Sequence, residues 1–348
     1  QFLNQMGHVV LWQTKFESLT QNSNGVIVNV SNNHGIQTIY CQFVIACDGS
    51  KSSVRDSVGI ELKGKKYPQH YIIADVEIDG DFDRKDWYFF LSKGGFSSVG
   101  AIPNNRWGVL LSLPKNEKYS KGEQPTLNKV QTLFNGLCDI PGKLKSPKWM
   151  SHFHTYLKHV KTRQKGRVFL CGDSAHQVSP LTSLGMNSGM LDARNIAWKL
   201  ALVCQGNASE QILETYSVEQ NQTLKYAQML SDANERSFSM TGYITRELRD
   251  HLTEIALGFE PLMRYFGGVL SQTNIAFNKS PIIGEFVGFP VHTDNDAYHL
   301  TSESSCLKAW SDFGRGIKPG SRAPDVQGVY LDNHKDFGWM FDDLLQGK

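Results

Sequence analysis

The sequence predicts an α/β fold into which an antiparallel β-sheet is inserted. Two apolar runs, Phe43–Cys47 and Arg167–Cys171, each end in a turn that contains Asp and Gly, which is typical of buried parallel strands. Between these runs, the stretch from Tyr71 to Leu113 consists of short β-rich segments separated by Gly and Asn turns, which indicates antiparallel strands. The 348 residues suffice for about two or three domains.

The composition is that of a globular protein, with 40% hydrophobic and 20% charged residues. Lys and Arg total 36 and Asp and Glu total 34, so the net charge is only +2. Such a balance gives no reason to expect nucleic acid or an anionic membrane as a partner, and no apolar run approaches the roughly 18 residues of a membrane span. The six cysteines include no C-x-x-C pair, so we expect no disulfide scaffold, no metal site and a cytoplasmic location.

The N-terminal part predicts a small antiparallel meander that leads into the first buried strand. Two turns, Asn24-Gly25 and Asn33-His34-Gly35, separate its β-rich runs. The strand candidates are His8–Trp12, Thr14–Leu19, Val26–Val30 and Ile36–Tyr40.

The remaining elements follow from the same periodicities. The inserted sheet is predicted to contain Tyr71–Ile78, Asp86–Leu91, Phe96–Ile102 and Arg106–Leu113. Apolar residues at helical spacing predict a helix from about Met186 to Cys204, with Gly206 at its C-terminal cap. The stretch from Glu210 to about Gly268 is predicted to be mainly helical, with breaks near Gly242 and Pro261.

The first candidate site is the segment Cys47-Asp48-Gly49-Ser50-Lys51-Ser52-Ser53-Val54-Arg55, where a strand ends and a short helix begins. Gly49 permits a ligand to approach the backbone closely, and Arg55 has the planar guanidinium that binds phosphate bidentately. An ordinary strand-to-helix turn with Asp48 as the N-cap explains the same residues. Taken alone, this segment leaves both interpretations open.

The second candidate site begins at Gly172-Asp173-Ser174-Ala175-His176 and continues through Pro180 to Gly185-Met186-Asn187. Asp173 follows a buried strand, at the edge where open α/β sheets bind ligands, and its carboxylate can accept hydrogen bonds from sugar or polyol hydroxyls. Gly185, Met186 and Asn187 open a helix, so their free N–H groups favour an anion or an electron-rich carbonyl edge. A capped turn before a helix is the alternative.

Together these two segments resemble the FAD-dependent aromatic hydroxylases, the single-component flavoprotein monooxygenases of the phenol and polyketide hydroxylase type. The first segment is similar to the family's "DG" motif, which lies near both FAD and the incoming NAD(P)H. The second is similar to its "GD" motif. The resemblance implies cofactor contacts from the two motifs. The implied cofactor-binding residues are Asp48, Gly49, Arg55, Gly172, Asp173, Pro180, Gly185, Met186 and Asn187.

The roles that the resemblance implies are specific for the GD motif. The Asp173 carboxylate would bond the ribityl chain, and the backbone of Gly185, Met186 and Asn187 would face the pyrimidine edge of the isoalloxazine. No catalytic acid or base is assigned, because the cofactor carries the difficult chemistry.

The resemblance also implies a domain organisation. Residues 1–65 and 155–206 would form the FAD-binding domain, 66–154 a substrate-binding sheet domain, and 207–315 a mainly helical region. Residues 316–348, entered at Pro319–Asp325, would begin a thioredoxin-like C-terminal domain. No G-x-G-x-x-G occurs in the sequence. We therefore expect a Rossmann-like FAD/NAD(P)-binding domain that lacks its first βαβ unit, in a chain truncated at both ends.

The implied activity is hydroxylation of a small aromatic ring, with NAD(P)H as reductant, O2 as co-substrate and a flavin hydroperoxide as the oxygen donor. A homodimer is compatible with this activity. Two alternatives stay open: a flavin monooxygenase that acts on an antibiotic or an alkene, and a truncated, non-catalytic FAD-fold protein that serves in interactions.

Overall fold

The protein was analysed as a computed structural model that describes residues 2–282, except 115, 118, 121, 239, 241, 273–276, 278 and 279, together with residues 327–329 and 338–339. The chain forms two compact units, 1–266 and 267–348. The predicted thioredoxin-like segment at 316–348 lies outside the described residues except for two short strands. These strands, β13 (Gln327–Val329) and β14 (Gly338–Trp339), pair antiparallel.

The first unit contains most of the described elements. Its strands are β1 (Lys15–Gln21), β2 (Val26–Asn32), β3 (Gly35–Cys41), β4 (Val44–Ala46), β5 (Leu62–Gly80), β6 (Trp87–Ser92), β7 (Gly95–Ile102), β8 (Arg106–Ser112), β9 (Gly142–Val160), β10 (Gln164–Lys165), β11 (Val168–Leu170) and β12 (His176–Gln177). The helices of the described chain are α1 (Phe2–Gln5), α2 (Ser53–Ser57), α3 (Leu127–Leu137), α4 (Gly185–Cys204), α5 (Thr215–Phe238), α6 (Tyr243–Gly258) and α7 (Glu260–Leu270).

The α/β part is built on the parallel pair of β4 and β11, which β10 extends in the order β10-β11-β4. Side chains of β11 alternate between two layers, as a strand covered on both faces requires. Val168 and Leu170 pack with Val54 of α2, whereas Phe169 packs with Ile196 of α4 on the opposite face. The prediction that this run is a buried strand is confirmed.

The inserted sheet has six strands in the order β12-β9-β5-β8-β7-β6, and every neighbouring pair is antiparallel. One face is covered by α3, whose Val130 and Phe134 are fully buried against it. A second apolar cluster of this sheet contains Phe96, which stacks on Phe238 of α5 with ring centroids 4.3 Å apart. Leu181 belongs to the same cluster. This cluster brings the region around Pro180 next to the sheet.

Two predicted elements differ from the structure, and one strand was not predicted. His8–Trp12 contains no strand, although the predicted meander is present as β1, β2 and β3 in that order. The sheet contains β9, a strand of 19 residues that the periodicity did not predict, and β5 begins at Leu62, well before Tyr71. The apolar pattern of β9 is interrupted at Ser146, Pro147 and Lys148. The register of its pairing with β5 shifts at this point, and the shift accommodates these residues.

The helices follow the prediction closely. Helix α4 begins at Gly185 and ends before Gly206, which adopts a positive φ of 74° as a C-terminal cap requires. The breaks predicted near Gly242 and Pro261 correspond to the ends of α5 and α6. No helix of the described residues is both long enough and apolar enough to cross a membrane.

Candidate cofactor-binding site

The parallel pairing of β4 and β11 brings the two sequence motifs to one edge of the sheet. Ala46 pairs with Leu170, so the turns that follow these residues leave the sheet side by side. The backbone N–H of Cys171 donates to the carbonyl of Ala46 at 2.9 Å and continues this pairing beyond the strand. Segments far apart in sequence thus form one site, as expected at the carboxyl ends of parallel strands.

Ser174 and Arg55 join the two turns. The Ser174 hydroxyl is fully buried and donates to the Ala46 carbonyl at 2.7 Å. The guanidinium of Arg55 is also buried, and its Nη1 donates to the carbonyls of Ser50 at 3.1 Å and Ser174 at 3.3 Å. Arg55 therefore holds the two motifs together, a role that its position in the motif did not reveal.

Asp48 and Ser52 both accept hydrogen bonds from the first turn of the short helix α2. Oδ2 of Asp48 accepts a hydrogen bond from the backbone N–H of Val54 at 3.1 Å, and Ser52 accepts from the N–H of Arg55 at 2.9 Å. The N-cap of α2 is therefore Ser52, whereas Asp48, which the sequence offered as the N-cap, supplies a second acceptor to the first turn. Gly49, with φ of 80°, has no atom within 4 Å of the position that a Cβ would occupy, so space remains beside its backbone.

Asp173 lies beside an open cavity of about 510 Å³. Its side chain is exposed, and it has no hydrogen-bond partner among the described residues. Pro180, Gly185 and Met186 line the same cavity, together with Tyr156 of the inserted sheet. Five of the predicted site residues thus lie close together, because Gly172 directly precedes Asp173 in the turn.

Helix α4 begins at this cavity without a side-chain cap. The residue at its N-cap position is Leu184, whose buried side chain makes no capping hydrogen bond. The first N–H groups of the helix, those of Gly185, Met186 and Asn187, are therefore left to other acceptors. With the partial positive charge of a 20-residue helix behind them, they favour an electron-rich group in the cavity.

Two glycines let the GD turn approach α4 closely. Gly172 has φ of 61°, a left-handed conformation that favours glycine. A Cβ on Gly189 of α4 would lie 3.4 Å from the Cα of Gly172, so the two backbones touch.

A second cavity, of about 610 Å³, lies on the DG side of the site. Ser50, Lys51 and Arg55 line it from the DG segment. Tyr156 and Gln177 line both cavities and so stand between them. Sequence reasoning missed these two residues, because their strands, β9 and β12, gave no clear signal.

Two thiols lie where the paired strands end. Cys171 hydrogen-bonds to Cys47, and this contact lowers the pKa of the Cys47 thiol to about 7, although partial burial and the charge of Asp48 act in the opposite direction. Cys47 is the better candidate for a thiolate, since the same contact and burial raise the pKa of Cys171.

The arrangement fits the ribityl and isoalloxazine parts of a flavin cofactor. A free carboxylate can accept from ribityl hydroxyls, and uncapped helical N–H groups can donate to a pyrimidine carbonyl edge. The close packing of Gly172 against Gly189 leaves room for both the ribityl chain and the isoalloxazine. An α/β sheet that binds a ligand at the carboxyl ends of its strands, next to an inserted antiparallel sheet, defines a class of nucleotide-cofactor proteins.

Comparison with known proteins specifies the class. Residues 3–231 match the family described as the FAD binding domain, so this chain belongs to that family. It is 33% identical over 215 residues to pentachlorophenol 4-monooxygenase of Sphingobium chlorophenolicum, which covers 60% of this chain and 39% of that protein. It is 34% identical over 179 residues to 6-methylpretetramide 4-monooxygenase of Streptomyces rimosus, which covers 51% of this chain and 31% of that protein.

Solved structures agree on the fold. CabE, an aromatic hydroxylase from angucycline biosynthesis, has a TM-score of 0.68 and 23% identity over 94% of this chain and 59% of its own. Aklavinone-11 hydroxylase in a ternary complex with FAD and aklavinone has a TM-score of 0.55 and 22% identity over 67% of this chain and 45% of its own. The chain spans about half or less of the length of the curated relatives it matches. The predicted α/β FAD-binding fold with an inserted sheet is confirmed.

Proposed function

We propose that this chain is the flavin- and substrate-facing part of an FAD-dependent aromatic hydroxylase that uses NAD(P)H and O2. The observation that carries the proposal is the exposed Asp173 carboxylate beside the cavity at which α4 begins uncapped. Family membership and the monooxygenase relatives support the same activity.

In this proposal each group of residues has one task. Asp173 accepts from the ribityl hydroxyls, and the N–H groups of Gly185, Met186 and Asn187 donate to the isoalloxazine edge. Pro180 and Gly172 shape the turn between them. Asp48, Gly49 and Arg55 lie in the neighbouring turn, where Arg55 acts by holding the two turns together. When bound, the flavin would supply the redox chemistry that activates O2 for transfer of one oxygen atom to a ring.

The inserted sheet supplies the surface for the aromatic substrate. Phe153 and Tyr156 of β9 line the cavity that Asp173 faces, and His154 lies between them in sequence. Flat aromatic side chains beside polar groups suit a small ring that carries a hydroxyl. A homodimer and a cytoplasmic location stay predictions.

The proposal is tested first by cofactor binding. Asp173→Asn should weaken FAD binding by about tenfold or more, because a charged hydrogen bond contributes roughly 1.5–3 kcal/mol. Asp79→Asn is the matched control, since Asp79 is an exposed carboxylate on β5 that pairs with Lys145. Quenching of flavin fluorescence measures both affinities, and equal affinity of wild type and Asp173→Asn would contradict the assignment.

Turnover tests the reaction itself. In the intact protein, a phenolic substrate should accelerate NAD(P)H oxidation, and a hydroxylated product should appear in step with it. Flavin-loaded protein that oxidises NAD(P)H at one rate with every aromatic compound, and yields only peroxide, would rule out a hydroxylase. An antibiotic or alkene oxygenase would instead respond to those compounds in the same assay.

A further inference from the structure

A buried carboxylate outside the two motifs makes two contacts with the GD turn and a third with Arg163. Oδ2 of Asp192, on α4, accepts from the backbone N–H of Gly172 at 2.9 Å. The same oxygen lies 2.8 Å from Nε2 of His176 and 2.7 Å from Nη1 of Arg163. Because a carboxylate only accepts, Nε2 is the protonated ring nitrogen of His176 in this contact.

These groups are withdrawn from solvent. Asp192, His176 and Arg163 are each exposed by only 1%. Removing charges from water is costly, and attraction within a buried ion pair offsets this cost only where the geometry is good and further hydrogen bonds are made. The ion pair is therefore weak evidence of stabilisation by itself. Arg163 makes two further bonds to α5, since its Nε donates to Asn221 at 3.0 Å and its Nη2 donates to the carbonyl of Gln220 at 3.3 Å. Nδ1 of His176 is buried and has no hydrogen-bond partner among the described residues.

The contact with Gly172 is the one that concerns the site. Gly172 has a left-handed φ of 61°, and the next residue is Asp173. A fixed N–H at Gly172 therefore fixes the direction in which the chain presents the Asp173 side chain. His176, four residues after Gly172, holds the other end of the turn to the same oxygen atom.

Asp192 lies on the helix whose first residues line the cavity. Gly185 and Asp192 are two turns apart on α4, which is one rigid element. The helix thus presents its uncapped N–H groups to the cavity and, through Asp192, holds the turn that carries the opposing carboxylate. One helix therefore sets the distance between its own first N–H groups and the Asp173 carboxylate.

We propose that Asp192 is a positioning residue for the cofactor site, which acts through the N–H of Gly172 and the ring of His176 to hold Asp173 towards the flavin ribityl chain. The cofactor in this inference rests on the proposed function. The restraint on the GD turn does not rest on the proposed function, because it is a property of the protein alone.

The chain offers a matched control for a purely structural role. Glu219 is also a buried carboxylate between α4 and α5, and it accepts from Lys199 at 2.5 Å and from Asn195 at 2.6 Å. Both of these partners lie further along α4 than Asp192. Glu219→Gln should therefore destabilise the packing of the same two helices without releasing Gly172.

The experiment compares wild type, Asp192→Asn, Asp192→Ala and Glu219→Gln by thermal denaturation, by amide hydrogen exchange of the segment 170–178, and by FAD titration. In wild type, the Gly172 amide should be protected. Asp192→Ala should increase its exchange by about tenfold or more, and Asp192→Asn should increase it less because the amide oxygen can still accept. Glu219→Gln should leave this exchange within about twofold of wild type, even where it lowers the denaturation temperature as much as the Asp192 variants do.

FAD affinity should fall in the same order, wild type above Asp192→Asn above Asp192→Ala, with Glu219→Gln close to wild type. An unprotected Gly172 amide in wild type would overturn the inference without any variant, and so would equal FAD affinities of Asp192→Ala and Glu219→Gln. If wild type shows no saturable FAD binding, the proposed function fails for this chain, and the exchange comparison alone decides the role of Asp192.

Discussion

At the scale of single residues, the left-handed conformation of Gly172 makes a side chain unfavourable in the turn that carries Asp173. The φ of 61° at Gly172 is costly for any residue with a Cβ, by about 1–2 kcal/mol. Gly172→Ala should therefore lower the free energy of unfolding by about that amount and disturb the turn that carries Asp173. Gly136→Ala is the control, because Gly136 lies in α3 with open space around it and should gain about 0.5–1 kcal/mol from helix propensity. Urea denaturation of both variants checks the opposite signs.

The reactivity of Cys47 is a second residue-scale prediction. Because Cys171 lowers the pKa of the Cys47 thiol to about 7, its alkylation by iodoacetamide should reach half its maximal rate near pH 7. Cys171→Ala removes the hydrogen bond, so the half-maximal pH should rise by more than one unit. Peptide-resolved mass spectrometry across pH 5–10 measures both profiles. An unchanged profile in Cys171→Ala would show that the neighbouring thiol is not the cause.

At the scale of elements, Asp232 attaches α5 to the long strand β5. It accepts from Tyr67 at 2.7 Å and from Lys65, and these contacts lower its pKa to about 2. A carboxyl whose pKa is lowered in the folded state stabilises the folded protein fully at pH values above its unfolded pKa, which is near 4. This contribution is lost as the pH falls through the folded pKa of about 2.

Asp232→Asn should therefore destabilise the protein at pH 6 and lose this difference from wild type as the pH falls from about 4 to 2. Asp79→Asn should have a smaller effect throughout, because the Asp79–Lys145 pair is exposed and screened by solvent. Denaturation midpoints at pH 6, 4 and 3 give the comparison. A constant difference across that range would mean that the charge of Asp232 does not matter.

The elements also show what sequence reasoning can and cannot reach. The buried strand β11 and the helix α4 were predictable because their apolar patterns and capping residues are local. The strand β4 was also predicted, but burial on both faces was wrong for it, because its Ile45 is exposed. Strand β9 was not, because its Lys, His and Pro147 are accommodated by pairing with β5 along its length. In the same way, no local pattern distinguishes Asp48 as a helix cap from Asp48 as a ligand contact.

The site was predictable only in the residues that form contiguous motifs. Asp173 and the start of α4 lie in such a motif, and the structure brings them to one cavity. No local sequence pattern indicates Arg163 and Asp192, because their contacts join three separate elements. Tyr156 and Gln177 line the cavities only because β12 pairs with β9, which is a tertiary fact.

At the scale of the whole molecule, the contacts proposed for this chain involve only the flavin ring and ribityl chain, and the sequence contains no G-x-G-x-x-G for a pyrophosphate. We therefore expect residues 1–348 alone to bind FAD weakly, and to bind riboflavin with an affinity within about tenfold of that for FAD. Parallel fluorescence titrations with riboflavin, FMN and FAD test this. Micromolar or tighter FAD binding together with much weaker riboflavin binding would show that the chain grips the ADP half by other residues.

The pairing of β4 with β11 also sets the order in which the molecule can assemble. Ser174 and Ala46 bond across 128 residues of intervening chain, and closing so long a loop costs entropy before any contact compensates for it. Within the intervening sheet, short turns join β6 to β7 and β7 to β8, so this part can form first and shorten that loop. During refolding, burial of the sheet tryptophan Trp107 should therefore precede the appearance of the cavity beside Asp173. Synthesis on the ribosome imposes the same sequence of events, since Asp173 emerges only after β6, β7 and β8 have been made.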